Sequence, residues 1–516
     1  GAAAMVARGE GQRPGKRAKP NKEEPTTSAH DDQANPKGAE EEVKDAIIGL
    51  RGQDGSSLGP PLKVPLSMEP KNLEVLVNKL LSEGDDDDDN DGIPRPYSFF
   101  IDEIELSGSL RQHLEKHGNS LESLEVTFKP QAWFKVLPVS RCSATMTGHT
   151  ESVLSVSFSP CGRHLASGSG DTTIRLWDLN TQTRQNECKG HGDWVLCVSW
   201  SPDSKVLASG DNKGAVLLWD PECGDKIGAL RGHKDAVTAI SWEPAHLSLP
   251  SRRLVTSSRD KSLRVWDCGT RQCLFSMHSH RQAVTSCVWS GQGLIYSSGR
   301  DTAIFVWDTE RGVMVRQLQG HGHWVNTMAL STEHALRSGP FDHKGRRPAG
   351  DEEARRAALG RYEAALGGRP ERMVSGSDDF TMFLWQPGQQ DGKRPLARMT
   401  GHKNLVNQVR FSPDGQWIAS ASFDKSVKLW NGHTGKFVCS FFGHVAPVYQ
   451  VSWSADSRLV CSGSKDSTLK VWDLRTKKLR GDLPGHEDEV FAVDWCGTGA
   501  FVASGGRDRC LKLWRH

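Results

Sequence analysis

Histidine, aspartate and a hydroxyl recur together along most of this chain. They are the residue types of a nucleophilic hydrolase: a hydroxyl to attack, an imidazole to take its proton and a carboxylate to orient the ring. The histidines are His149, His191, His233, His280, His321, His402, His444 and His486. Hydroxyls follow at Ser167, Ser209, Thr256, Ser297, Ser375, Ser420, Ser462 and Ser504, and carboxylates at Asp171, Asp260, Asp301, Asp379, Asp424, Asp466 and Asp508. Tryptophans close each set at Trp177, Trp219, Trp266, Trp307, Trp385, Trp430, Trp472 and Trp514. One active site needs one constellation, so a set that recurs in unit after unit is architecture. Within each copy the His, Asp, hydroxyl and indole are expected to satisfy one another in a buried hydrogen-bonded chain.

The elements that must carry these sets follow from their spacing. A Gly-His pair and a closing Trp-Asp recur about every 42 residues, the signature of WD40 repeats, in which each unit is a four-stranded blade. Eight units predict an all-β, eight-bladed WD40 β-propeller over 139–516. Because Trp-Asp closes a blade's third strand, the last blade needs an outer strand from elsewhere, and 139–146 is placed to supply it and close the ring. Two units depart from the pattern. The second has Lys213 in the Asp slot, which predicts an unpartnered His191 and the least rigid blade; the fourth has Ser279-His280 for Gly-His. The fifth carries an insertion at 337–371 with a helix-like core over 351–366, read either as a docking element or as a tolerated surface loop.

Residues 1–43 have almost no large apolar side chains and are expected to form a disordered tail, with Lys16-Arg17-Ala-Lys19 read either as an import signal or as a solvated charge cluster. Between 44 and 130 the texture changes. A hairpin, a helix with Leu73, Leu76, Val77, Leu80 and Leu81 at helical spacing, the strand 97–101, a short helix near 110–114 and a last strand 124–128 follow in the order of a ubiquitin-like α+β (β-grasp) domain. Residues 131–138 are the linker. The run 85–91 imitates half of an EF-hand loop, but position twelve falls on Ser98, so calcium binding is rejected.

Lys+Arg of 65 against Asp+Glu of 63 leave no global field directed at nucleic acid or membrane, so any such binding is local. Twelve cysteines without a CxxC pair read as small core residues of a reducing compartment. No apolar run reaches the roughly 18–20 residues of a spanning helix, and the start is too polar for a secretory signal. A soluble nucleo-cytoplasmic protein is expected, with no membrane partner, no small-molecule substrate, no phosphate loop, no zinc motif, no cofactor of its own and no enzymatic activity. Candidate binding residues lie where the chain enters the inner strands, at Trp194 and Trp324, and just before the turn Asp, at Arg259, Arg300, Lys465 and Arg507. Exposed Trp and Arg are common at interface hot spots, and the basic residues can also meet phosphate. The alternative is that the two tryptophans pack on neighbouring loops.

With its head, the linker Pro130-Gln-Ala-Trp-Phe-Lys-Val-Leu-Pro and eight blades, the sequence resembles the Notchless family of ribosome assembly factors. The segments Gly59-Pro-Pro-Leu, Pro96-Tyr-Ser-Phe, Met373-Val-Ser-Gly-Ser-Asp-Asp-Phe and Ala419-Ser-Ala-Ser-Phe-Asp-Lys-Ser carry the resemblance. It implies a nuclear and nucleolar factor, monomeric within precursors of the large (60S) ribosomal subunit, whose propeller docks on ribosomal RNA, ribosomal proteins and other assembly factors. It also implies that the head binds the MIDAS domain of midasin, an AAA ATPase, through a Glu that completes coordination of a midasin-bound Mg²⁺. A carboxylate is a suitable hard ligand for that ion. In Asn119-Ser-Leu-Glu-Ser-Leu-Glu the usual position holds Leu121, and the carboxylate, one residue displaced, is Glu122; Glu125 is the weaker candidate. The rival reading is a WD40 signalling scaffold or ubiquitin-ligase adaptor in Notch regulation, which fold alone does not separate.

Overall fold

A computed structural model describes residues 45–516 apart from 53–54, 83–95, 103, 107, 118–123, 133 and 390–391. The tail 1–43, the acidic run 85–91 and Glu122 lie outside the described residues. The chain forms two compact units that divide between Gln131 and Ala132.

In the first unit β1 (Asp45–Arg51) and β2 (Leu62–Pro65) form the hairpin, α1 spans Pro70–Ser82, and β3 (Tyr97–Ile101), β4 (Ile104–Glu105), α2 (Leu110–His117) and β5 (Leu124–Pro130) follow. The sheet order is β2-β1-β5-β3-β4, with β1 and β5 parallel in the middle. Alternation along β1 buries Ala46, Ile48 and Leu50, and the helical spacing of α1 turns Leu73 and Val77 onto them. The two-residue strand β4, which pairs with β3 at Phe100↔Glu105, has too little pattern to be read from sequence.

Among the described residues, the second unit forms eight four-stranded sheets. Each sheet's first strand touches the first strands of its two neighbours, and the contact between Val490–Trp495 and Val153–Phe158 closes the ring. Blades are numbered here in chain order of these inner strands. Blade 8 consists of Val490–Trp495, Val502–Gly506 and Leu511–Arg515 with Arg141–Met146 as its outer strand. The borrowed strand pairs antiparallel, Met146 opposite Leu511 and Ala144 opposite Leu513, so the two ends of this unit share one blade. Apolar clusters between neighbouring blades hold the ring together, with the Trp side chains that end the third strands, such as Trp219, Trp385 and Trp514, nearly inaccessible. All twelve cysteines are free; Cys188, Cys287, Cys461 and Cys496 are core residues as expected, whereas Cys142 and Cys223 are exposed.

Because the strands of a blade are antiparallel, its connections alternate between the two faces of the ring. One face carries the His-bearing loops and the Asp turns, and is called the rim face below. The other carries the first-to-second-strand loops, including the insertion.

Candidate functional site

On the rim face each set of four side chains forms a single line. In blade 1, His149 Nδ1 lies 2.8 Å from Asp171 Oδ2, His149 Nε2 lies 2.8 Å from Ser167 Oγ, and Trp177 Nε1 donates to the same Oγ at 2.9 Å. In blade 3 the corresponding distances are 3.0 Å (His233 to Asp260), 2.7 Å (His233 to Thr256) and 2.8 Å (Trp266 to Thr256). In blade 8 they are 2.8 Å (His486 to Asp508), 2.7 Å (His486 to Ser504) and 2.8 Å (Trp514 to Ser504). One proton assignment satisfies every group: indole N–H to hydroxyl oxygen, hydroxyl O–H to Nε2, and Nδ1–H to carboxylate. Burial opposes ionisation of Asp171, but hydrogen bonds from His149 and Thr173 outweigh it and hold the carboxyl below the usual range.

This geometry has the order of a catalytic triad and lacks its access. Ser167, Thr256 and Ser504 are fully buried, and the indole donates into the oxygen that would have to attack. Gly148, before the first His, has φ +143°, and a Cβ there would run into the Arg175 guanidinium, which explains the glycine. The sets fix blade geometry.

The expectation for blade 2 is overturned. His191 Nδ1 lies 3.1 Å from Asp211 Oδ2, with Nε2 2.6 Å from Ser209 Oγ, which also accepts from Trp219 at 2.8 Å. Asp211 occupies the strand position held by Ser169 in blade 1, two residues before the usual carboxylate, and reaches the same histidine. Lys213 turns outward, donating to Gly192 O at 3.2 Å. The ground for calling this blade the least rigid disappears. In blade 4, Ser279-His280 supports a full set, with His280 Nε2 2.9 Å from Ser297 Oγ.

The insertion packs against other blades of the ring. From blade 5 it crosses the opposite face: Arg337 binds Asp494 of blade 8 through Nη1 at 2.8 Å and reaches Phe158 O of blade 1 at 3.3 Å. Gly339 abuts Pro202 of blade 2, and the helix Asp351–Leu366 stacks Tyr362 on His246 of blade 3, ring centroids 4.6 Å apart. Arg355 donates to His246 O at 2.9 Å. Glu371, at the insertion's end, is buried and accepts from the Ser290 and Thr332 hydroxyls; burial pushes its carboxyl up. Blades 1 and 5 are diametrically opposed in a ring of eight, so these contacts carry the insertion across the axis. No such segment is seen crossing the rim face among the described residues.

The candidate binding residues divide on the rim face. Trp194 is 39% exposed and leans on Gly170 of blade 1; Trp324 is half-buried beneath Arg300, whose guanidinium carbon lies 4.5 Å from the ring centroid. Arg259 and Arg300 are also half-buried. Lys465 pairs with Glu489 at 3.0 Å, and Arg507 approaches Asp488 at 3.7 Å and Glu489 at 3.8 Å. Sequence reasoning missed Lys234, Lys261 and Arg281, exposed on the same face in blades 3 and 4. Their signal is the position directly after the loop His or the turn Asp. In the head, Glu125 lies on the exposed face of β5 and pairs with Arg51 at 2.6 Å.

Comparison with known proteins agrees with this architecture. The WD domain, G-beta repeat profile matches 140–178, 182–220, 224–267, 271–308, 393–431, 435–473 and 477–515, and the NLE (NUC135) domain profile matches 48–114. The gap between the fourth and fifth repeat matches falls on blade 5, where the insertion separates Val325–Leu330 from Met373–Ser377. A Notchless protein homolog of Arabidopsis thaliana is 54% identical, covering 78% of this chain and 83% of its own. The chain belongs to the Notchless family. Protein Notchless of Drosophila melanogaster is 47% identical (71% and 74% covered), and Ribosome assembly protein 4 of Saccharomyces cerevisiae is 46% identical (75% and 78% covered). The crystal structure of the computationally designed Ika8 protein matches with TM-score 0.57 at 24% identity, over 73% of this chain and all of that one. That likeness speaks for the fold alone.

Proposed function

We propose that this member of the Notchless family is a ribosome assembly adaptor in the nucleus and nucleolus. Its propeller docks by the rim face on precursors of the large subunit, while its head offers a carboxylate to a Mg²⁺ ion held by midasin. The observation that carries this reading is the 46% identity to Ribosome assembly protein 4 over 409 residues, in a chain that also carries the NLE domain. The two-unit organisation suits an adaptor, with one unit for the particle and one for the remodelling ATPase.

Glu122 is the proposed ligand. It lies in the segment between α2 and β5; Glu125, paired with Arg51, is the weaker choice. One carboxylate in trans is what a hydrated Mg²⁺ already held by another protein can accept. Glu122→Ala and Glu122→Asp are each expected to abolish Mg²⁺-dependent binding of the full chain to an isolated MIDAS domain, measured by calorimetry, without changing the propeller's melting. Full binding by the Ala variant removes the metal-ligand assignment. Sedimentation of tagged protein separates this reading from the signalling scaffold: comigration with large-subunit precursors supports an assembly role, and absence from them supports the rival.

A further inference from the structure

The rim face is strongly polarised. In blades 3 and 4 its loops carry Lys234, Arg259, Lys261, Arg281 and Arg300 against only Asp235, Asp260 and Asp301. In blades 8 and 1 the same loop positions carry Arg507 and Arg509 against Glu151, Asp171, Glu487, Asp488, Glu489 and Asp508. A nearly neutral chain therefore presents a basic sector and an acidic sector on the rim face. Two carboxylates of each sector are turned inward: Asp260 and Asp301 are bound by His233 and His280 and by the backbone amides of Lys234 and Arg281, and Asp171 and Asp508 are held in the same way by His149 and His486, which leaves one outward carboxylate in the basic sector and four in the acidic one. The amide bonds of Lys234 and Arg281 also fix where these two cations begin.

An aromatic side chain stands at each end of the basic sector, Trp194 in blade 2 and Trp324 in blade 5. Arg300 lies over the Trp324 ring, which joins the second aromatic to the basic sector. Cations that follow a backbone, with exposed aromatic faces beside them, are what proteins use to hold single-stranded nucleic acid: phosphates meet the charges and unpaired bases stack on the rings. An acidic peptide would satisfy the cations but would leave Trp194, more than a third exposed, without a planar partner.

We propose that blades 2 to 5 of the rim face bind a single-stranded RNA segment, its phosphates on Lys234, Arg259, Lys261, Arg281 and Arg300 and a base against Trp194, while Arg300 stays stacked on Trp324. The proposal deepens the docking reading above and rests on it for its setting. The acidic sector of blades 8 and 1 repels the same strand and so gives it one place on the ring.

The test uses the full chain and a fluorescein-labelled oligouridine of about twelve nucleotides, within the usual site sizes for such surfaces, in anisotropy titrations at several salt concentrations. Four or five neutralised phosphates predict a slope of log K against log salt near −3, since each contributes about −0.7 on single strands. Arg259→Glu with Arg300→Glu should weaken binding about tenfold or more and flatten that slope by about 1.4, and the milder Arg259→Gln with Arg300→Gln should flatten it likewise. Trp194→Ala should weaken binding about fivefold with the slope unchanged, because stacking releases no counterions. Arg507→Glu, in the acidic sector, should change binding less than twofold.

The proposal is overturned if the wild type does not bind the oligonucleotide at physiological salt, if the blade 3 and 4 variants bind as it does, or if an oligoglutamate of equal length binds more tightly. Comigration with large-subunit precursors is scored separately. A chain that comigrates but binds no RNA refutes this inference and leaves the adaptor reading standing.

Discussion

Asp211 gives the sharpest check on the physics of the ring, because a simple register of the repeats assigns its role to Lys213. The carboxylate is almost wholly buried and accepts three donors: His191 Nδ1 at 3.1 Å, Lys213 N at 3.0 Å and Ala215 N at 2.7 Å. Asp211→Ala leaves the imidazole with a buried, unanswered N–H and loosens the turn that the two amides hold. A buried donor stranded in this way costs about 1–3 kcal/mol, and the two amides near the face regain water, so the total is expected near 3 kcal/mol. Lys213→Ala removes an exposed amine that touches Gly192 O and Asp193, worth less than about 0.5 kcal/mol. The measurement is the urea midpoint of the propeller followed by tryptophan fluorescence, Trp219 sitting at the end of the same chain of bonds. Equal destabilisation by the two variants, or a neutral Asp211→Ala, would refute the assignment of the carboxylate to the fourfold set.

Two further outcomes follow from the same contacts. Arg337→Ala should destabilise the propeller by about 2 kcal/mol, between the limits for exposed and buried ion pairs, and a double-mutant cycle with Asp494→Ala should show coupling; strict additivity would mean that the insertion does not brace the ring. The turn carboxyls Asp171, Asp260, Asp301, Asp379, Asp424, Asp466 and Asp508 are all held below their ordinary range, burial opposing and the histidine hydrogen bonds prevailing. A folded-state value below the unfolded one gives stability that is fully present above about pH 4 and is lost as pH falls below it. The urea midpoint should therefore drop steeply below about pH 4, and less steeply in Asp171→Asn; parallel profiles would show that these carboxyls do not set the acid limit.

Much of this architecture was legible because a repeat read eight times is averaged over its own errors. The histidines, hydroxyls and tryptophans could be assigned by position, and the missing outer strand of blade 8 followed from counting strands. His191 was read as unpartnered because register was taken as identity: Asp211, two residues before the usual carboxylate, reaches the same imidazole where it replaces the Ser169-type hydroxyl on the strand. The insertion was beyond reach for a different reason. Its helix was visible in composition, but its partners, Asp494 on an inner strand and Pro202 and His246 in loops, belong to other blades whose nearness exists only once the ring has closed. The pairing of Lys465 and Arg507 with Glu489 was not legible in sequence, because Glu489 is contributed by a separate loop.

The ring's seam sharpens how an adaptor of this kind could bear load. The head reaches the propeller through the linker, and the outer strand Arg141–Met146 follows that linker directly, so chain order alone predicts that tension on the head peels the closing strand first. The contacts say otherwise. Val136 and Val139 are buried in the cluster between blades 7 and 8, Val136 N donates to Asp456 at 2.8 Å, and Ser140 N donates to Arg515 O at 3.0 Å. Phe134 stacks on His343 of the insertion, ring centroids 4.7 Å apart. Load arriving from the head therefore meets these anchors before it meets the strand. The insertion that receives Phe134 also binds Asp494 in blade 8 and Phe158 in blade 1, the two blades on either side of the closure between Val490–Trp495 and Val153–Phe158. The crossing segment and the linker therefore tie blades 5, 7 and 8 to one another beside the closing strand.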